Sequence, residues 1–533
     1  MKRPLYLFIV LTTLAALLLS ACGASDTNEP LVVLIETDEG PLTPLGYRTA
    51  TGFWMTGWVY DTLYARDLDF QPVPSLATNA TPNQDGSMWT ITLRQNLKWH
   101  DGEPFTSEDV LFTYQFLVQA NRLEALSLVD KVEARGDYVV DVTLRQPSPF
   151  FLSEALTTAY ILPAHIWQGQ TPNDPQLGQF QATVGTGAYK LTAVAPGESY
   201  TFEANREYFR GIPRVANMIV KVVPSRAQQA DELRKRTAGA SLAAMDPTQA
   251  GQLERVRRID LAEGANTLSY ILYTNGSRTP FDQDSVREAI SLAIDYEALV
   301  EEVLLGRGKV LPSSYYHSDL PWAVGAMPLY DPDAARTLLE FADFQDSDGD
   351  GIREWQGEPT DYEILCNSDR PLEVQATDLI VQWLKDIGIG AHANCVDTST
   401  QLSLMWPSYR AIPNPDYDIA LFSWPGDVQT QRSFLRYMVS DPNSLGWANL
   451  SGTVDAELEQ LMTAYLSEGD PAQQEALGML IQEQFSEVLP MIPLVAPNGT
   501  YAYLPEKYAG WQYMKGIGIG TVWSFLQVQP TTQ

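Results

Sequence analysis

The chain has 533 residues, 45% hydrophobic and 19% charged, enough for a large core and about three lobes at ordinary domain sizes. Its 35 Lys plus Arg face 66 Asp plus Glu, a net charge of −31, and such a field repels nucleic acid and anionic lipid headgroups. Four histidines without an i, i+4 pair, and no HExxH, GxSxG, P-loop or helix-opening GxGxxG, leave no short enzymatic signature.

In chain order, Lys2 and Arg3 give a positive start, and Leu5 to Leu19 are almost wholly apolar. That run is short for a span, which needs roughly 20 residues. With the small residues Ser20 and Ala21 it reads as a secretory signal over 1–21. Cys22 directly after Leu-Ser-Ala resembles a bacterial lipobox, which implies cleavage before Cys22 and lipid on its thiol. Residues 22–30 then form a polar leash. Without Lys2 and Arg3 the mature chain carries 33 basic against 66 acidic residues, or −33.

LVVLIE at 31–36 reads as a buried strand, and 52–64 has helical spacing. Trp89, Ile91 and Leu93 alternate with polar residues, and Asp101-Gly102 marks a turn. Thr106 and Asp109 have the spacing of a capping box, followed by Val110, Tyr114 and Leu117 on one helix face. A strand covers 136–145. Gly185 and Gly187 bracket a turn that needs glycine if φ is positive. Strands follow at 218–223 and 268–274. Asp284 is the expected cap of the next helix, and Asp295 restarts a helical pattern that Gly306 ends. From Tyr362 a strand, a helix through Ile380 and Leu384, and a strand from Ile389 to Val396 make a βαβ unit. A strand at 417–422, helices near 455–467 and 471–488 and a return crossing at 490–494 complete the pattern. Strands on both sides of the middle segments imply lobes joined by more than one crossing. The expected division is 31–75, 185–278 and 495–533 for lobe I, 76–184 for an extra α+β lobe, and 279–494 for lobe II.

The block WTITLRQNLKWHDGEPFTSEDVLFTYQFL at 89–117 resembles the oligopeptide-, dipeptide- and nickel-binding proteins of bacterial ABC importers, extracellular solute-binding family five. YDTLY at 60–64, GTGAYKL at 185–191, NREYFRGIP at 205–213, TPFDQDSVREAISLAIDYEALV at 279–300 and WLKDIGI at 383–389 follow in family order. The resemblance implies an α/β, two-lobed periplasmic-binding-protein-like clamp (type II, cluster C) with a small extra α+β lobe. The ligand lies between the lobes, and closure is a hinge motion shifted by contacts to both. It further implies an ABC-importer receptor that passes peptides to permease subunits and their ATPases, is tethered outside the cell membrane only by its lipid, works as a monomer and is no enzyme. Residues 236–246 lack the family's Gly-Glu-x-Asp turn, and the Pro-rich 405–417 stretch departs as a loop. HDG at 100–102 and TSEDV at 106–110 read as turn and cap chemistry, and His100 as a packed residue rather than a ligand.

In the oligopeptide-binding branch a Trp-x-x-Asp supplies the carboxylate for the peptide's α-ammonium. Trp424 and Asp427 match it, with Pro425-Gly426 in place of the usual polar pair. Tyr273, Asn275, Glu36 and Trp447 are weaker binding candidates. An oligosaccharide stacking on the abundant aromatics, or a metal chelate, is the alternative ligand. A signalling receptor without transport and a carboxylate-based hydrolase are the other classes. Asp346, Asp348 and Asp350, with Gly351 at position 6, resemble the start of a calcium loop, but position 12 is Gly357 and Glu358 falls one residue late. A plain Asp/Gly turn explains the same run, and no cofactor beyond that calcium is expected. Cys366 and Cys395 end two strands of the βαβ unit. In an exported chain they form a disulfide if those strands are adjacent, and are separate buried thiols if not.

Overall fold

The computed structural model describes residues 29–120, 123–172, 183–266, 268–314, 323–406, 415–424 and 449–531. β1 (Leu31–Ile35) enters the middle of a twelve-stranded sheet, and α1 (Ala50–Val59) follows, opened by Thr49 accepting from the Thr51 N–H. The chain then builds a small lobe from β2 (Ala77–Pro82), β3 (Met88–Leu93), α2 (Ser107–Ala120), β4 (Val129–Ala134) and β5 (Val139–Leu144). Its antiparallel sheet runs β2-β3-β5-β4. The alternating Trp89, Ile91 and Leu93 meet Val110, Tyr114 and Leu117 of α2 in one core. Asp109 accepts from the Thr106 N–H at 2.9 Å, and Thr106 accepts from the Glu108 N–H at 3.3 Å, so cap chemistry starts α2.

β6 (Tyr189–Ala195), β7 (Ser199–Ala204) and β8 (Asn217–Val222) return to the large sheet, where β8 lies parallel to β1. α3 (Arg226–Arg234), β9 (Ala240–Ser241), α4 (Pro247–Glu254) and β10 (Asp260–Ala265) complete the first lobe. The second begins with β11 (Ser269–Thr274) and continues through α5 (Asp284–Ala293), β12 (Gly308–Val310), α6 (Pro332–Phe341), β13 (Tyr362–Asn367), α7 (Pro371–Asp386), β14 (Ala391–Val396), β15 (Ile419–Trp424), α8 (Ala456–Ser467) and α9 (Pro471–Val488). β16 (Ile492–Tyr503) closes the sheet. Its order is β14-β13-β15-β11-β16-β9-β1-β8-β7-β6, with β10 and β12 also on β16.

β16 belongs to both lobes. Ile492 to Pro497 pair with β11 and β12, and Asn498 to Tyr503 with β10 and β9. The second crossing lies between the end of β10 at Ala265 and the start of β11 at Ser269, so lobe I ends with β10 rather than at 278: β11 packs its side chains into the second lobe's cores. Gly264 and Gly499 face each other at this double crossing, and Tyr513 lies over both, donating to the Gly264 and Ala265 carbonyls at 3.1 Å. A Cβ on either glycine would come within 2.6 Å of the Tyr513 side chain.

Two local expectations change. Gln283, not Asp284, precedes α5 as its cap. Asp284 instead pairs with the buried Arg287, which also donates to the Val488 and Phe281 carbonyls. Gly185 and Gly187 do not have positive φ. They are glycines because a Cβ would meet the Val59 carbonyl oxygen at 1.8 Å and that of Trp58 at 2.4 Å.

That close approach is part of a joint between the first lobe and the small lobe. Buried Asp61 accepts from Thr186 at 2.8 Å and from the Tyr208 hydroxyl at 2.9 Å. His100 Nδ1 accepts from the Gly185 N–H at 3.3 Å, and Nε2 donates to the Gly187 carbonyl at 3.0 Å. YDTLY, HDG, GTGAY and NREYF therefore meet in one structural network. Burial pushes His100 down to about 4, against the Gly187 hydrogen bond. A folded value below the unfolded ~6.5 means the neutral ring stabilises fully above pH 6.5 and loses that contribution as pH falls toward 4. The stability gap between wild type and His100→Gln is therefore expected to shrink by roughly 2 kcal/mol between pH 7 and pH 4.5 in urea unfolding. A gap independent of pH would contradict this role.

Candidate functional site

In open α/β sheets, ligands bind beyond the carboxyl ends of the parallel strands. On the first lobe, β1 ends there at Ile35 and Glu36, beside a cavity of about 350 Å³ lined by Glu36, Trp54, Trp58, Leu242, Tyr501 and Ile517 among others. Trp58 Nε1 donates to the Gly520 carbonyl at 3.0 Å, and the Tyr501 hydroxyl to that of Ile517 at 3.0 Å. These bonds hold the 514–520 loop as a wall. Trp54 offers apolar area with a polar edge, and Trp58, 1% exposed, packs behind it. Glu36 is at the site, but its two oxygens accept from Arg226 Nε at 2.5 Å and Nη2 at 3.2 Å. This bidentate pair compensates its charge and makes Glu36 a weaker acceptor for a ligand cation.

On the second lobe the corresponding ends belong to β13 and β15. Trp424, last in β15, pairs with Ser269 immediately after the crossing, which puts it beside the cleft. Its indole donates to the Tyr273 hydroxyl at 2.7 Å, and Trp406 and Phe422 meet its ring edge to face. Trp424 is thus a packed wall. Tyr273 is only 1% exposed, and burial pushes its hydroxyl up, so it supports Trp424 from below rather than facing a ligand. Asn275 is a correction. β11 runs away from the crossing, which leaves Asn275 roughly 20 Å along the chain beyond the cleft end at Ser269. Its side chain donates to the Pro415 and Tyr417 carbonyls and accepts from the Ser277 N–H. Asp427 and Trp447 lie outside the described residues, as does Cys22.

A group that sequence reading missed stands beside Trp424. Arg370 precedes Pro371 at the start of α7, where β13 turns into its crossover helix. Glu373, fully buried, accepts from Arg370 Nη1 at 3.0 Å and from the Ser423 hydroxyl at 2.6 Å. Burial pushes the Glu373 carboxyl up, while Ser423 and Arg370 pull it down. Arg370 Nη1 also contacts Ser423, whereas Nε and Nη2 have no partner among the described residues and the side chain is 41% exposed. A guanidinium anchored through one nitrogen, its other two without a partner among the described residues, is suited to a carboxylate. The legible signal was an Arg-Pro between a strand and its crossover helix, a position where ligands meet such sheets.

Cys366 and Cys395 are register partners on parallel β13 and β14, with Cα atoms 4.3 Å apart, and are joined as a disulfide. In the acidic loop, Asp346, Asp348 and Glu354 bring oxygens within 4.8 Å of one another, with Glu354 rather than Asp350 in the group. Asp346 accepts from the Gly349 and Gly351 N–H groups, Asp350 from that of Ile352, and Glu354 from that of Ser347. The aspartate bonds are Asx-type turn bonds, and Glu354 reaches back seven residues to close the loop. Among the described residues no helix is long and apolar enough to cross a membrane.

Comparison with known proteins fits this geometry. The family profile described as bacterial extracellular solute-binding proteins, family 5 Middle, matches residues 71–488. The chain is 26% identical over 467 residues to the oligopeptide-binding protein AppA of Bacillus subtilis (strain 168), covering 85% of this chain and 83% of AppA. It is 31% identical over 413 residues to protein XP55 of Streptomyces lividans, covering 74% of this chain and 73% of XP55. The crystal structure of NikA from Brucella suis in complex with Fe(III)-EDTA shares the fold, with a TM-score of 0.82 at 21% identity, over 94% of this chain and all of NikA.

Proposed function

Starting from a chain that belongs to the bacterial extracellular solute-binding proteins of family 5, the substrate-binding and non-enzymatic components of ABC importers, we propose that this one captures peptides and delivers them to a permease from a lipid anchor at Cys22. The observation that carries the peptide reading is Arg370. Buried Glu373 and Ser423 fix its guanidinium at the carboxyl end of β15, with Nε and Nη2 unpartnered among the described residues. A peptide presents a carboxylate to such a group and an ammonium to an acid. Asp427, three residues beyond Trp424, supplies that acid in the Trp-x-x-Asp spacing. Trp54 and Trp424 give flat walls on either side of the crossing for varied side chains, with buried Trp58 backing the first. AppA, named for oligopeptide binding, is a relative over most of its length.

The test is calorimetric titration of short peptides with free ends, with an acetylated amine and with an amidated carboxyl. Free-ended peptides bind best on this reading. A metal chelate that binds, when no peptide does, would replace the peptide reading, because its carboxylates could use the same guanidinium.

The anchor has its own expected result. Cys22→Ser releases protein without acyl label into the medium or periplasm, with peptide affinity unchanged. Processed wild-type protein carrying no acyl group, measured by mass spectrometry, would sink the lipobox.

A further inference from the structure

We infer that the pole of the first lobe opposite the cleft is a basic face that rests on anionic phospholipid headgroups while the chain is tethered; this rests on the anchor reading above. β1 has its carboxyl end at the cavity, at Ile35 and Glu36, and its amino end at the opposite edge of the sheet. At that amino end the Tyr508 hydroxyl donates to the Glu29 carbonyl at 3.5 Å. Cys22 lies seven residues before Glu29, and seven residues span at most about 25 Å. Lipid on Cys22 therefore keeps this pole, and not the cleft, nearest the membrane.

The side chains gathered here are cationic, against the balance of the molecule. Arg236, after α3, and Arg258, after α4, both reach Glu506, at 2.6 and 3.4 Å. Lys507 Nζ donates to the Arg236 carbonyl at 2.8 Å, which ties the turn after β16 into the same cluster. One carboxylate thus serves two guanidiniums. Lys235, Arg255 and Arg257 are exposed and have no ion-pair partner among the described residues. Three nearby acids are already paired, Asp231 with Arg234, Glu232 with Lys221 and Glu254 with Arg307, while Glu29 and Asp260 are exposed at this pole without an ion pair among the described residues, fewer than the cations around them.

The bulk charge of −31 implies repulsion from anionic lipid, and screening decides the local outcome. At physiological salt a charge is felt over about 8 Å, so a tethered molecule presents the lipid with this pole and not with its distant acids. Arginine matches phosphate geometry, and basic residues near an anionic surface add attraction residue by residue. In this pose the cleft faces away from the lipid, open to solutes.

The test supplies the tether chemically, so it does not depend on cellular acylation. Protein beginning at Cys22, with Cys366–Cys395 closed, has Cys22 as its single free thiol. It is coupled through a maleimide lipid to vesicles of phosphatidylcholine alone or with phosphatidylglycerol. Acylation of Lys235 by a soluble amine reagent is followed by mass spectrometry, with exposed Lys98 on the small lobe as control. The expected result is labelling of Lys235 about three-fold or more slower on phosphatidylglycerol vesicles, with Lys98 unchanged. High salt and the Arg255→Glu/Arg257→Glu variant both remove the difference. Equal Lys235 rates on the two vesicle types overturn the proposal, as does protection that appears only when permease protein is added, which would make this a protein-docking face. An unacylated Cys22 in protein from cells overturns the anchor instead and leaves the vesicle result standing.

Discussion

Opening the Cys366–Cys395 bond is expected to lower unfolding free energy by roughly 3–4 kcal/mol. The two residues are 29 apart in sequence, and closing a loop of that length removes about this much unfolded-chain entropy at 25 °C. The native side adds a reason. β14 is the edge strand of the twelve-stranded sheet, and its only strand neighbour among the described residues is β13. The bond therefore holds an edge that fewer contacts secure. Both cysteines lie in register on parallel strands, so the tether fits the fold as it stands. Urea unfolding of Cys366→Ala/Cys395→Ala against the oxidised wild type measures the effect. Alanine avoids leaving a buried hydroxyl at Cys366, which is fully buried. A difference below 1 kcal/mol, or two alkylatable thiols in denatured, non-reduced protein, would refute the structural role.

Arg370→Met is expected to weaken binding of free-carboxyl peptides by 1.5–3 kcal/mol, about 10- to 100-fold, the range for hydrogen bonds to charged groups. Amidating the peptide carboxyl should harm the wild type similarly and harm the variant little further. Arg370→Lys should recover only part of the loss, because an ammonium cannot hold Ser423 and a ligand carboxylate on two edges of one plane. Asp427→Asn gives the matching result at the other end of the peptide, with acetylation of the amine as its chemical counterpart. Fold integrity is read separately. Removing Arg370 leaves Glu373 buried beside Ser423 and Gln401 with its carboxyl pKa pushed further up, so the variant binds a proton rather than unfolding. If Arg370→Met binds free and amidated peptides with wild-type affinities, the carboxylate assignment fails.

Much of the architecture was legible because periodicity reports burial directly. Trp89, Ile91 and Leu93 alternate and do point into one core. The unit of β13, α7 and β14 is parallel with a helical crossover. Ordered blocks pointed to the family, yet their residues meet at Asp61 and His100 in a joint between the first lobe and the small lobe. Glycines 185 and 187 show why a local rule misreads a tertiary fact: they make room for the backbone of 58–59, which is more than 120 residues away in sequence. Asn275 was misplaced because strand direction relative to the crossing is not written in the strand itself.

By itself, then, the sequence determined what depends on local pattern: most strands and helices, the acid-rich charge and the Trp424-x-x-Asp427 spacing. Only the tertiary structure decided which ends of those strands share a cleft. It set the lobe boundary at the double crossing under Tyr513, bound Glu36 to Arg226, anchored Arg370 on Glu373, and gathered Arg236, Arg258 and Lys507 around Glu506 at the opposite pole. The physical reason is that each of these depends on partners tens to hundreds of residues apart, and pairing at that range is fixed by sheet order and strand direction, which a periodic pattern does not encode.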